Sequence, residues 1–430
     1  MKNRSQRYKM KSGSKKDEGG CVKCGTCNTV CPVYLTTGNE IHTPRGKQHL
    51  RSRLQKGERS AHYADIYSKC LLCGACLEVC PRDLDTPRLV VDVRSELPKI
   101  SGLSFLKYVS RKALIHPKLF SSLTMAGTAA YNLLGELLPK ESGLRLRLIG
   151  FEKGVVQLPA VSYITKVKTG VSAEEVLQNK KQAHGVNYFT GCLANHLQPE
   201  IAESTQFLIS RATGSKANVP LGQTCCGMAA MAAGRRDETL DLVKKNIRAF
   251  EENNLPILTS CSSCYFQLKT YNELFADDPE WKERAKRFTE RLLEFSSFFL
   301  KKFSESREMI TGSQKPSGLK VFYHDPCHLR FKLHITEEPR RLLKLFHGID
   351  LQELPGGPQC CGQGGLFQVA HPALALQVRE RLMDNYGELS ANTVVTACSG
   401  CLLQWQFGIG TGESNSQAKH LAVFIAELMQ

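Results

Sequence analysis

The chain of 430 residues contains no run of about eighteen uninterrupted apolar residues, so a membrane-spanning helix is not expected. Its most apolar stretch, residues 119–138, is interrupted by Ser121, Ser122, Asn132 and Glu136. Residues 1–20 are polar and basic without an apolar segment, so no secretory signal is expected either. No zinc-finger or RNA-binding motif accompanies the formal charge of +16, which argues against nucleic acid as a partner. A full G-x-G-x-x-G is also missing. Gly362-Gln363-Gly364-Gly365 only approaches it and follows a cysteine pair, so a dinucleotide site is not expected on this chain. Acidic residues are absent from residues 1–16, which hold Lys2, Arg4, Arg7, Lys9, Lys11, Lys15 and Lys16. That pattern fits a solvated tail, with an electrostatic contact to phospholipid or a partner as the alternative.

What the chain does have is cysteine, eighteen in all, and none is left outside a pattern. CVKCGTCNTVCP places Cys21, Cys24, Cys27 and Cys31 before Pro32, and CLLCGACLEVCP places Cys70, Cys73, Cys76 and Cys80 before Pro81. This spacing resembles that of bacterial-type ferredoxins, where three close cysteines hold one 4Fe–4S cube and the fourth crosses to its neighbour. The resemblance implies one cube on Cys21, Cys24, Cys27 and Cys80, and a second on Cys70, Cys73, Cys76 and Cys31. Gly25 and Gly74 are expected to let each loop curl around its cube, and the proline to redirect the chain. Zinc fits less well, since it prefers two separated Cys-x-x-Cys pairs. Two cubes of about −2 each would reduce the formal charge to roughly +12. Between the two motifs, HTPRGKQHLRSRLQKGE reads as a basic helix opened by Pro44, in which Arg45 either reaches a cluster thiolate or faces water.

The second half repeats itself. Cys192, Cys225-Cys226-Gly227 and Cys261-Ser262-Ser263-Cys264 are followed by Cys327, Cys360-Cys361-Gly362 and Cys398-Ser399-Gly400-Cys401. The single cysteine precedes the pair by residues 193–224 in one copy and 328–359 in the other, an equal interval. β-Rich runs lead into the cysteines (GVNYFTGC, LPILTSC, LKVFYHDPC, NTVVTAC), and helical patterns follow at 228–252 and 372–387. Strand–helix alternation predicts two α/β units with parallel sheets and cysteines at the carboxyl ends of strands. Residues 281–303 look extra to the first copy, with Phe288, Leu292, Phe295 and Phe299 on one helical face as core packing. Adjacent cysteines suit a multi-iron site with bridging and terminal thiolates better than one tetrahedral zinc. Redox disulfides or ordinary buried cysteines remain the alternatives. His324 and His328 flank Cys327, and the first copy has no histidine at either counterpart position beside Cys192, so they read as structural or outer groups rather than ligands.

Two ferredoxin motifs followed by two Cys-Cys-Gly repeats resemble the iron–sulfur subunit of glycolate oxidase and its relatives, including the D-type subunit of heterodisulfide reductase. The resemblance covers residues 21–81 and 186–401. It implies cluster ligation by Cys192, Cys225, Cys226, Cys261 and Cys264, and by Cys327, Cys360, Cys361, Cys398 and Cys401. One or two further Fe–S clusters would then join the two 4Fe–4S cubes. Because clusters carry single electrons and no dinucleotide site is present, hydride chemistry falls to a partner subunit containing FAD, and this chain holds no catalytic side chain of its own. The expected role is the electron-transfer subunit of an oxidoreductase complex, a flavin-dependent glycolate or D-lactate dehydrogenase passing electrons to a quinone or other acceptor. The alternative is a heterodisulfide-reductase-like subunit that reduces a disulfide.

The length calls for two or three domains. The expected fold is α+β and multidomain, a helical two-cluster ferredoxin-like module followed by two tandem α/β repeat domains. The divisions are a basic tail (1–20), the cluster module (21–95), a helical linker (96–184), repeat one (185–315) and repeat two (316–430). The linker has no cysteine from 83 to 184, and segments such as LSFLKYVSRKALI are expected to be short helices, with a weaker option of a membrane or partner contact at Lys107, Arg111 and Lys112. Cysteines in metal-like sets without a leader favour the reduced cytoplasm, with peripheral contact at the inner membrane face as a further option.

Overall fold

The computed structural model describes residues 20–58, 60–96, 162–170, 185–306, 308, 310, 318–410 and 416–430, with single residues at 109, 129, 133 and 137. The basic tail, nearly all of the linker (the Lys107, Arg111 and Lys112 contact included) and the apolar stretch 119–138, but for its single residues, lie outside the described residues.

The amino-terminal module is helical, as its short, cap-rich segments require. Helices Pro32–Thr37 and Pro44–Gln55 each begin at proline, which suits a first helical position whose N–H has no intrahelical partner. Thr43 caps the second of these, its hydroxyl accepting from Gly46 N at 2.9 Å. Helices Ala61–Ser68, Ala75–Glu78 and Thr86–Glu96 follow, and Tyr67, Leu89, Val90 and Val93 pack against Leu54 and Leu72.

Two parallel sheets follow. Strands β1 (Asn187–Phe189), β2 (Ile257–Thr259) and β3 (Leu292–Glu294) pair in that order, with Tyr188 opposite Leu258 and Leu258 opposite Leu293. Strands β4 (Leu319–His324), β5 (Ile349–Gln352), β6 (Thr393–Thr396) and β7 (Gln417–His420) form the order β5-β4-β6-β7. Asn218 bridges Asn187 in parallel, where β5 lies against β4 in the second sheet. The two repeats thus share one topology. All four strands expected ahead of the cysteines are present as β1, β2, β4 and β6, and their residues are buried on both faces apart from the first two of β4, as parallel sheets require.

One sequence expectation changes. Residues 281–303 form no continuous helical face: helix Pro279–Glu290 gives way to β3 and then to helix Phe295–Glu305. β3 and that last helix match β7 and helix Leu421–Met429 of the second repeat, so only Pro279–Glu290 is an addition. The aromatic residues do pack as core. Phe288 meets Phe250 edge-on at 5.8 Å and stacks on Tyr271 at 5.4 Å, each such ring being worth about 1.5–3 kcal/mol by burial.

The repeats exchange helices across their junction. Helix Pro199–Thr213 of the first packs on Leu421–Met429 of the second, while Phe295–Glu305 packs on Glu337–Leu343. One apolar core runs through both. The cluster module sits on this pair: Pro32–Thr37 packs on helix Pro372–Gly387, and Ala75–Glu78 packs on the π-helix His328–Leu333. No helix among the described residues is long and apolar enough to cross a membrane.

Candidate metal centres

Each ferredoxin-type loop carries the same backbone device. Lys23 and Gly25 in the first, and Leu72 and Gly74 in the second, have positive φ (57° and 81°, 57° and 87°) on either side of the middle cysteine. That alternation curls the chain and aims successive N–H groups at one concave side, the form of an anion-binding nest. Leu72 N donates to Cys70 Sγ at 3.4 Å, turned towards sulfur as a cluster-binding loop requires. Gly74 is required for a further reason. A Cβ there would stand 2.7 Å from Cε of Lys332, which arrives from the π-helix of the second repeat. Gly74→Ala is therefore expected to cost about 1–2 kcal/mol from backbone strain alone, read as a lower urea midpoint. An unchanged midpoint would show that the loop adjusts freely.

A cavity lies behind the second loop, lined by Cys31, Cys70, Cys73 and Cys76. These are the four residues that the crossed ferredoxin assignment places on one cube. Cys21, Cys24 and Cys27 share the first loop, and Cys80 follows helix Ala75–Glu78, which packs on the turn Thr26–Val30. The donor set fits a thiolate-bound cube. Burial pushes the Cys31 and Cys76 thiols up, and neighbouring Cys70 adds to both. Such sulfurs become thiolates only where cations supply the missing charge.

Arg45 combines the two roles open to it in the sequence: its side chain stays partly exposed, while its backbone N–H and its charge bear on the Cys27 and Cys24 thiols of the first loop. Its guanidinium forks the carboxylate of Glu40 at 2.7 and 2.9 Å and donates to the Lys23 carbonyl at 3.2 Å. The cation that the sequence reading missed is Lys47, two residues on. It is 2 % exposed, lines the cysteine cavity and donates from Nζ to the His42 carbonyl. Burial pulls its pKa down, while the thiols of Cys70, Cys31 and Cys76 push the other way.

In the repeats the cysteines stand at the carboxyl ends of strands. Cys192 follows β1, Cys261 follows β2, Cys327 follows β4 and Cys398 follows β6. In the first repeat the neighbouring thiols that shift one another are Cys192 and Cys225, Cys225 and Cys226, Cys226 and Cys264, and Cys264 and Cys261. In the second they are Cys327 and Cys360, Cys360 and Cys361, Cys361 and Cys401, and Cys401 and Cys398. Cys261 and Cys398 are neighbours in the same sense, so the ten thiols form one seam. Seven of the ten are buried, Cys192, Cys327 and Cys360 being half-buried, and none of the chain's cysteines is in a disulfide.

The third letter of the motif has a structural cause. Gly362 has φ 84°, and a Cβ on it would lie 2.7 Å from the Ala375 carbonyl, so the pair can turn sharply beneath helix Pro372–Gly387 only without a side chain. In the first repeat buried side chains fix the pair's backbone. Asn246 Nδ2 donates to the Cys225 carbonyl at 3.0 Å, and Tyr271 Oη donates to that of Cys226 at 2.9 Å.

Electrostatics within the seam are uneven. Hydrogen bonds from Cys192 and Cys226 hold Cys225 well below the usual thiol value, and Cys360 with Cys401 draw Cys361 down to about 5. Cys261, Cys401 and Ser263 do the same for Cys398. Other thiols of the seam, such as Cys192 and Cys264, are pushed up by these same neighbours and by burial. Ten packed sulfurs cannot all ionise without added positive charge, which metal ions would supply.

The histidines mark off the second repeat. His328 Nδ1 lies 3.0 Å from Ser263 Oγ, which lies 3.2 Å from Cys398 Sγ, an outer position as the sequence reading has it. His324 stands nearer. A ring nitrogen lies within 4.8 Å of both Cys361 and Cys401 sulfurs, and its ring is enclosed by Phe322 and Trp405. Burial keeps both rings neutral, drawing each pKa to about 4. Asp325, two residues before Cys327, is held by Arg340 at 2.7 and 2.8 Å. Spacing alone gave no signal for that pair.

Comparison with known proteins agrees with this layout. The 4Fe–4S dicluster domain family matches residues 19–84, which supports two 4Fe–4S clusters, and the cysteine-rich domain family (CCG) matches 186–269 and 321–406. The "Probable glycolate oxidase iron-sulfur subunit" of Bacillus subtilis (strain 168) is 29% identical over 96% of this chain and 94% of its own. Lactate utilization protein A of Shouchella clausii (strain KSM-K16) is 31% identical over 55% of this chain and 96% of its own. Its namesake in Bacillus subtilis (strain 168) is 28% identical over 55% and 97%. A crystal structure of a hypothetical protein from Helicobacter pylori shares the fold, with a TM-score of 0.54 at 8% identity over 89% of this chain and 67% of that one. Dicluster loops, two cysteine-rich domains and these likenesses over nearly the full length of the relatives lead to one conclusion: the chain belongs to the glycolate oxidase iron–sulfur subunit-like proteins.

Proposed function

We propose that this chain is the electron-transfer subunit of a flavin-dependent 2-hydroxy-acid dehydrogenase, glycolate or D-lactate being the substrate class. A partner subunit with FAD takes hydride from the acid. Electrons then leave its flavin singly, pass along this chain and reach a quinone or another acceptor. Cys21, Cys24, Cys27 and Cys80 hold one 4Fe–4S cube, and Cys31, Cys70, Cys73 and Cys76 hold the other. Each repeat's five cysteines hold a further Fe–S cluster, and the domain divisions read from the sequence apply. The likeness to glycolate oxidase and lactate utilization proteins supports the substrate class.

The observation that carries this reading is continuity. Cys73, in the cage of the second loop, packs with Cys327 and Cys360 of the second repeat, and the seam continues from there to Cys192. Single electrons move between centres held this close without any mobile carrier. Cys73→Ser is expected to remove one cube's iron and stop electron flow to a dye; unchanged iron and dye reduction would refute the assignment. Cys226→Ala is expected to spare both cubes and abolish a separate paramagnetic signal. Finding no third species in the wild type contradicts metal in that repeat.

The second reading, disulfide reduction at the repeats, is favoured by one observation: both five-cysteine sets are whole and meet through Cys261 and Cys398. A thiol–disulfide couple that changes the repeat signals, with hydroxy acids inert, would select it.

A further inference from the structure

The two cages differ in charge. Beside the first loop, Arg45 is neutralised by Glu40 in a fork whose side chains are 32% and 50% exposed. Beside the second, Lys47 is buried, and among the described residues it makes no ion pair; its ammonium meets only the His42 carbonyl. Among the other cations near that cavity, Lys69 lies 2.8 Å from Asp65 and Lys332 lies 3.9 Å from Asp85, while Arg94 spends its donors on the carbonyls of Tyr67, Ser68, Cys70 and Ala232. Tyr67 Oη donates to the Lys47 carbonyl at 2.6 Å, which fixes the backbone that carries it.

An unpaired buried ammonium is expensive to keep, and a solvated lysine elsewhere on the helix would avoid that cost. It is stable where it faces negative charge at short range in a medium that screens poorly. Cysteine thiolates around a 4Fe–4S cube are such a charge, and each electron added makes it more negative.

Resting on the cluster reading above, we propose that Lys47 sets the reduction potential of the second cage above that of the first. Reduction takes one electron, delivered from the partner's flavin by way of the first cage, and breaks no bond. The ammonium of Lys47 stabilises the reduced state more than the oxidised one, so electrons gather beside Cys73 and are presented to Cys327 and Cys360. Net charge is one lever through which a protein sets such potentials, and Lys47 acts through it. The side chain touches no substrate, so it is a positioning residue for the electron.

The test is a redox titration of the full-length, cluster-loaded protein under anaerobic conditions, followed by electron paramagnetic resonance. Cys24→Ser and Cys73→Ser identify the first and second signals. In the wild type the second signal is expected to appear at the higher potential. In Lys47→Met and Lys47→Gln, with iron content unchanged, the reduced-to-oxidised ratio of the second cage at a fixed potential falls about tenfold, equivalent to 59 mV for one electron. The first signal stays in place, and Lys47→Arg restores most of the shift. A second signal that titrates as in wild type, or both signals moving together, overturns the proposal. Should the Lys47 variants fail to assemble the cage, the order of potentials in the wild type still decides, and a reversed order overturns it. A wild type lacking both 4Fe–4S signals instead contradicts the cluster reading itself.

Discussion

Replacing Arg94 with methionine is expected to lower the stability of the folded chain by about 2–4 kcal/mol. The half-buried guanidinium at the end of helix Thr86–Glu96 donates to four carbonyls. Nε reaches Tyr67 at 3.1 Å, Nη1 reaches Ala232 at 2.7 Å, and Nη2 reaches Ser68 at 2.9 Å and Cys70 at 2.8 Å. Three of these acceptors lead into the second cysteine loop and the fourth belongs to the first repeat, so one side chain joins the cluster module to the repeat domains. Methionine fills much of the volume and leaves all four acceptors without that donor. Lysine is expected to recover little, since a single ammonium cannot occupy a planar fork's positions. Packing at the same joint is tested separately. A Cβ on Gly234 would stand 2.4 Å from backbone atoms of Arg94 and Ser95, so Gly234→Ala is expected to weaken the joint with every hydrogen-bond donor retained. Urea unfolding checks both variants. A loss below about 1 kcal/mol for Arg94→Met would mean that water replaces the guanidinium and that the joint lies elsewhere.

Cys398→Ala is expected to change the signals of both repeats, whereas Cys192→Ala changes only the first. The reason is position. Cys398 neighbours Cys261 of the first set as well as Cys401 of its own, while Cys192 lies at the far end of the seam beside Cys225. Removing the Cys398 sulfur takes one thiol from the second set and the seam neighbour of Cys261 from the first, and it takes from Ser263 its contact to sulfur while His328 keeps its contact to Ser263. Both ferredoxin-type signals remain, because the cavity of Cys31, Cys70, Cys73 and Cys76 shares no sulfur with Cys398. Iron per chain, together with paramagnetic spectra of the two variants, settles the matter. Repeat signals that respond independently to Cys398→Ala would show that the seam is a packing contact without electronic consequence.

Much of this arrangement was legible in the sequence because ligand spacing is a local property. The quartets at Cys21 and Cys70 fix their own loop geometry, and the structure shows the same positive-φ pair in each. Four strands were readable from apolar runs ahead of cysteines. β3, β5 and β7 were not, because Leu292–Glu294, Ile349–Gln352 and Gln417–His420 lead directly into no cysteine, and two of them are only partly buried. The aromatic spacing of residues 281–303 mimicked one helix because a helix, a strand and another helix all turn their rings to the same core. Arg45 drew attention as the cation beside a motif, but Glu40 claims it and Lys47 enters the cage. Such a choice depends on which face of helix Pro44–Gln55 meets the second loop, a tertiary fact. The seam itself joins residues far apart in the chain, Cys261 with Cys398 and Cys73 with Cys360, and no local spacing encodes it.

The central claim, that electrons from a hydroxy acid run through this chain, is tested most directly by anaerobic purification with its natural partners. Glycolate or D-lactate is then added while the iron–sulfur signals are followed by electron paramagnetic resonance. The account predicts that flavin co-purifies and that one of these acids reduces the cages and the repeat signals within the same sample. Clusters that stay oxidised with either acid, yet respond to a thiol–disulfide couple, would contradict it.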